Sequence, residues 1–80
     1  MKLYKRYVSV YQRVDKDGKI TPVTILWEDG VEYGIDRILE VRTAVSKVGG
    51  CGILYRCRIG GNIRNLYYER TRWFMESTKP

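Results

Sequence analysis

Residues 36–49, Asp36-Arg37-Ile38-Leu39-Glu40-Val41-Arg42-Thr43-Ala44-Val45-Ser46-Lys47-Val48-Gly49, decide the fold, because they carry two incompatible periodicities. Ile38, Val41, Val45 and Val48 recur at helical spacing, with Asp36 placed to cap the first turn and Gly49 to end the last. Leu39, Val41, Thr43 and Val45 instead alternate with the polar positions, as on a strand. Val41, Thr43, Val45 and Val48 are β-branched and stiff at χ1, which favours the extended form. The strand reading is preferred. It requires one bulged residue between Ile35 and Leu39, where the alternation slips, and such bulges are how small barrels turn corners. The alternative is an α+β fold with a helix at about 36–48 packed on the sheet.

The flanking residues favour an all-β chain. Tyr4 to Val14 is rich in β-branched and aromatic residues, with Val8, Val10 and Val14 on one face. Asp15-Lys16-Asp17-Gly18-Lys19 and Glu28-Asp29-Gly30 each offer the Asp-Gly turn signal, and two such hairpins within thirty residues indicate an antiparallel meander. Between them runs Ile20 to Trp27. Its Pro22 cannot donate a ladder hydrogen bond and so belongs at an edge or a strand start.

Beyond Gly49 the chain continues as Ile53 to Ile59, the turn Gly60-Gly61-Asn62, Leu66 to Tyr68, the turn Glu69 to Arg72, and Trp73 to Met75. A hairpin loop of two or four residues sets Tyr55 and Cys57 on the same face as Leu66 and Tyr68. An odd loop mixes the faces, so an even loop is expected. Arg56, Arg58, Asn65 and Tyr67 then point outward while Tyr55 and Cys57 point in. Trp27, Tyr33, Tyr55, Trp73 and Phe74 are assigned to the core, whose area a chain this short needs. The whole predicts one domain spanning 1–80, frayed at 1–3 and 77–80. Its expected form is a six-stranded antiparallel meander closing into a partly open small barrel of SH3-like or OB-like scale.

Composition bounds the function. With 80 residues, 44% hydrophobic and 30% charged, the chain is a single globular unit rather than a disordered one. No apolar run approaches the roughly 20 residues of a membrane span, and no signal-peptide core follows the basic N-terminus. A cytoplasmic protein without membrane association is expected. Cys51 and Cys57 are too few for a secreted disulfide framework. On one strand they would lie about 20 Å apart, against the roughly 7 Å between Cα atoms that a disulfide allows.

Catalysis and metal binding are disfavoured. There is no histidine, which removes the commonest general base and metal ligand. Two cysteines supply half of a zinc site, and Asp15 with Asp17 lack the further acidic ligands of a calcium loop. Gly49-Gly50-Cys51-Gly52 is followed by Ile53-Leu54-Tyr55-Arg56, a strand, whereas a phosphate loop opens a helix. Neither an enzyme nor a cofactor is expected.

What remains is charge. The net charge is +6, with nine Lys and Arg against seven Asp and Glu in residues 1–50 but six against two in residues 51–80. Arg56, Arg58 and Tyr67, supported by Arg64, form the candidate contact face. Guanidinium groups suit phosphates and an exposed ring suits a base, as in OB-type sheets. Nucleic acid, a protein partner and a second copy of the chain all fit such a face, and so does a solvated exterior with no partner.

The segments Ile20 to Gly30 and Val31 to Leu39 add a resemblance, together with the Gly-Gly linker into Tyr55-Arg56-Cys57-Arg58-Ile59 and the closing Arg72-Trp73-Phe74. They resemble a group of short uncharacterised all-β proteins of Clostridia-like (Firmicutes) bacteria, over roughly residues 5–76. The resemblance implies a bacterial cytoplasmic origin and one compact domain, and it implies no site. Glu69-Arg70-Thr71-Arg72 departs from the group's tight turn before Arg-Trp.

Overall fold

Residues 2–78 are described by the structure, a computed structural model, and they form seven strands and no helix. The strands are β1 (Tyr4–Val14), β2 (Ile20–Leu26), β3 (Glu32–Gly34), β4 (Arg37–Val45), β5 (Cys51–Ile59), β6 (Asn62–Glu69) and β7 (Arg72–Ser77). Residues 36–48 are thus a strand and a turn. Met1, Lys79 and Pro80, expected to fray, lie outside the described residues, and Ser77 is paired with Tyr4.

Three of the hairpins use one turn. In Asp15–Lys19, Trp27–Val31 and Ser46–Gly50, the first N–H donates to the fifth carbonyl and the fourth N–H to the first carbonyl, at 2.9–3.1 Å. The fourth residue is Gly18, Gly30 or Gly49, with φ of 87°, 83° and 97°. A left-handed residue after a type I turn is what this loop length demands, and glycine supplies it without a Cβ penalty. The other two hairpins have two-residue loops. Ile59 pairs with Asn62 around Gly60-Gly61, the even loop expected from parity, and Glu69 pairs with Arg72 around Arg70-Thr71.

The strands form one antiparallel sheet in the order β3-β2-β1-β7-β6-β5-β4. First and last strands therefore meet in its middle, from Tyr4↔Ser77 to Val8↔Trp73. The remainder of β1, from Ser9, pairs only with β2. The two edge strands are consecutive in sequence, linked by Ile35 and Asp36 alone. Ile35 N–H donates to the Val23 carbonyl in β2 and Asp36 N–H to the Arg58 carbonyl in β5, each at 2.9 Å. Two residues thus pin opposite edges of the sheet together at one corner, and the sheet curls into a half-barrel. Where a single bulge between Ile35 and Leu39 is expected, this link separates β3 from β4, and the strands number seven and not six. On the open side the Tyr55 hydroxyl donates to the Ile20 carbonyl at 2.7 Å.

The bulge required by the sequence is Leu39: Ile38 pairs with Cys57 and Glu40 with Arg56, leaving Leu39 without a partner residue. A second bulge falls at Val23, between Tyr11↔Thr24 and Gln12↔Pro22. Pro22 lies where β2 has β1 as its only neighbour, since β3 reaches only Thr24 to Leu26.

The curl makes two cores. Inside it, Ile25, Tyr55, Cys57, Leu66 and Trp73 are buried, with Val8, Val10 and Met75 packed against them. On the convex side Leu54, Tyr67 and Phe74 form a smaller cluster covered by Ala44 and Val48. The Ser46–Gly50 turn folds over that face and is held there by Glu76. The carboxylate accepts from the Ser46 hydroxyl at 3.1 Å and from the Lys47 N–H at 3.0 Å. Burying Leu54, Tyr67 and Phe74 contributes on the order of 2 kcal/mol each. Among the described residues no helix is long and apolar enough to cross a membrane.

Candidate nucleic-acid interface

Arg56 and Arg58 stand on the convex face of β5 and are exposed, as their parity requires. Arg58 faces Arg37 of β4 directly. Like charges opposed across neighbouring strands repel, and among the described residues neither guanidinium has a carboxylate at ion-pair distance. Glu40 faces Arg56 but pairs along its own strand with Arg42, at 3.3 Å.

Tyr67 shares this face but is not available for stacking. It is 5% exposed. Its ring lies flat on Phe74, with centroids 4.9 Å apart and planes 9° apart, and its hydroxyl donates to Glu76 at 3.4 Å. Burial, then the Glu76 charge, push its phenol above the usual range. The expected platform is instead part of the convex core, because the Ser46–Gly50 turn covers it.

Arg64 is also placed differently. It faces Cys57 across the hairpin, so its side chain belongs to the concave face and not to that of Arg56 and Arg58. The β6–β7 pairing stops at Leu66↔Met75, and below that point the two strands part. Arg64 stands in the gap and borders two depressions. On the convex side is a polar one of about 410 Å³ with Arg42, Arg56, Glu40 and Glu76. On the concave side is an apolar groove of about 370 Å³.

Strand parity does not announce the apolar groove. Its floor is Ile25, Ile59 and Met75, its aromatic wall Trp27 and Tyr33, and its polar rim Asn62 and Arg64. Tyr33, expected in the core, is 42% exposed, because β3 has three residues and nothing beyond it to cover the ring. It shares the inner face through its pairing with Ile25. Trp27 sits at the base of its hairpin, half-buried, with the Arg6 guanidinium 5.3 Å from the ring centre and Glu28 3.8 Å from Arg6. The sequence signal for this wall is an aromatic residue immediately before an Asp-Gly turn, paired with one on the short returning strand.

Other basic residues are engaged elsewhere. Lys5 donates to Glu69 at 3.0 and 3.1 Å, and the Tyr7 hydroxyl donates to the same carboxylate at 2.9 Å. The Lys5 hydrogen bond holds Glu69 below the ordinary carboxylate range, and its counterpart raises Lys5. Arg72 lies 3.4 Å above the Tyr7 ring. Lys5 is thereby paired and Arg72 held over a ring, and Arg37, Arg42, Arg56, Arg58 and Arg64 carry the exposed positive surface of β4 to β6.

Cys51 is exposed and Cys57 fully buried, both as free thiols. Burial pushes Cys57 up to about 11, so it is a protonated core thiol at neutral pH. Among the described residues no three Cys, Asp or Glu side chains gather as a metal site would need. No protein-family model, no curated protein and no solved structure matches the chain.

Proposed function

We propose that the protein is a non-enzymatic module that binds single-stranded nucleic acid. A base is seated in the concave groove between Trp27 and Tyr33, and the backbone is led by Arg64 through the β6–β7 gap toward Arg56 and Arg42. The observation that carries this reading is the position of Arg64, which borders both the aromatic groove and the basic depression. Stacking on an aromatic wall is indifferent to base identity, and guanidinium groups follow the phosphates, so the combination suits a strand of little sequence preference. The net charge of +6 adds long-range attraction. Arg37 and Arg58, opposed without a carboxylate between them, extend the same positive surface across the convex side.

The test is a titration of labelled oligothymidine and oligouridine at about 50 and 200 mM salt. Three phosphate contacts on a single strand give a log–log salt slope near −2. Arg64→Ala is expected to make that slope shallower by about 0.7, and Tyr33→Ala to weaken binding about fivefold or more without changing it. Absence of binding at the lower salt overturns the proposal.

A further inference from the structure

β4 is an open edge of the sheet. Its nine residues, Arg37–Val45, are hydrogen-bonded to β5 on one side and have no strand on the other, and seven of them are exposed. The opposite edge is blunted by shortness, β3 having three residues. Natural edges are protected by shortness, proline, charged side chains (lysine above all) or bulges. β4 has no Pro or Lys; its protection is a bulge at Leu39, near its start, and the charges of Arg37, Glu40 and Arg42, and Glu40 to Val45 remain regular. Val41, at 48% exposure, and Val45, at 76%, stand on the inner row of this segment, while Glu40 and Arg42 stand on the outer row at 45% and 56% side-chain exposure.

We infer that this edge pairs with the β4 edge of a second copy, antiparallel about a two-fold axis at Val41. Charge complementarity points to a second copy as the occupant and favours one register; an axis at Thr43 opposes no like charges but forms no opposite-charge pair either, setting Arg42 against Ala44. An axis perpendicular to the sheet keeps each face with its own kind. Placed at Val41, it sets Val41 against Val41 of the second copy and Glu40 against Arg42 twice, giving two cross-strand opposite-charge pairs. Moved to Glu40, it opposes two carboxylates; moved to Arg42, it opposes two guanidinium groups. Both alternatives are penalised by like-charge contact. In the Val41 register Glu40, Val41 and Arg42 pair with Arg42, Val41 and Glu40 of the second copy face to face, and the bulge at Leu39 ends the regular pairing on either side. A self-complementary patch of this kind is what a two-fold dimer requires. Two paired strands bury less than a standard interface, which places the dimer among weak, reversible associations. The inference rests on the free edge and not on the groove, although Arg42 belongs both to this edge and to the proposed path of the nucleic-acid backbone.

The test uses the full chain in light scattering over a concentration series reaching about 1 mM, a range suited to weak association. Wild type is expected to pass from monomer to dimer. Glu40→Arg sets two guanidinium groups against each other at both pairs, and Arg42→Glu sets two carboxylates against each other, so each variant alone is expected to remain monomeric. Mixed in equal amounts, the two variants restore both opposite-charge pairs and are expected to form a heterodimer. Both positions are exposed, and far-ultraviolet circular dichroism checks that each variant is folded. Val41→Lys, on the axis, is expected to be monomeric alone and in every mixture. A wild type that stays monomeric throughout overturns the inference. So do single variants that dimerise as wild type does, and so does a mixture that fails to associate when wild type dimerises.

Discussion

The indole N–H of Trp73 donates a 2.8 Å hydrogen bond to the side-chain oxygen of Gln12, a residue 61 positions earlier. Trp73 is 4% exposed, and Gln12 lies on the part of β1 that has left β7 for β2. The bond therefore ties the last strand to the half of the sheet it does not pair with. Gln12→Ala removes the acceptor and is expected to lower stability by about 1 kcal/mol in urea unfolding. Gln12→Glu keeps an acceptor and is expected to recover most of that loss.

Gly52 is fixed by close approach of backbone. A Cβ added there would overlap the carbonyl oxygen of Tyr68, which cannot swing aside as a side chain would. Gly52→Ala is expected to cost about 1–3 kcal/mol. Gly34→Ala, where a Cβ meets open space, is the control, expected within about 0.5 kcal/mol of wild type. Denaturant midpoints of the two variants measure the difference.

The two thiols should behave oppositely. Cys51 is exposed and is expected to react with a thiol reagent in the folded protein, while Cys57 is expected to react only after denaturant is added. The same burial has a pH signature. The Cys57 thiol, near 9 when unfolded and raised to about 11 when folded, gives up its proton first in the unfolded chain. Its contribution to stability is complete below pH 9 and is lost as pH rises toward 11. Cys57→Val is expected to flatten the decline between about pH 9 and 10, measured by urea unfolding at each pH.

Tyr67 belongs to the convex core and stands outside the proposed path of the strand. Tyr67→Phe keeps the stack on Phe74 and gives up one long hydrogen bond to Glu76. Oligonucleotide affinity is expected to be unchanged in this variant. Tyr67→Ala is expected to lose about 3 kcal/mol of stability, from the cavity left beside Leu54 and Phe74. A marked loss of affinity in a well-folded Tyr67→Phe would return the site to the convex face.

Local chemistry is legible in the residues themselves. The slip in alternation before Leu39 marks a bulge, Asp-Gly marks two turns, and parity requires the even loop at Gly60-Gly61. What parity does not carry is what lies above a face. Tyr67 has the outward direction expected of it, yet Glu76, thirty residues from Ser46, fastens a turn across it. Sequence proximity groups Arg64 with Arg56 and Arg58, although its pairing with Cys57 turns it to the other side. Tyr33 has the inward parity of a core residue, and only the sheet order reveals that no neighbour exists to cover it. The Tyr67 and Tyr33 misses concern contacts between segments far apart in the chain, where spacing within one strand has no reach, whereas the facing of Arg64 already follows from the even loop at Gly60-Gly61.

The pairing of β1 with β7 has a consequence for biosynthesis. During translation β1 emerges first, but its partner along Tyr4 to Val8 is the last strand made. Until β7 has left the ribosome, the nascent chain holds two incomplete pieces, β1–β3 and β4–β6, each lacking the strand that joins them. Closing them is a long-range step, slow by nature and open to competition from other chains. A message truncated anywhere before Arg72 would therefore yield a polypeptide lacking the seam of its sheet, and such products are natural clients for chaperones and proteases.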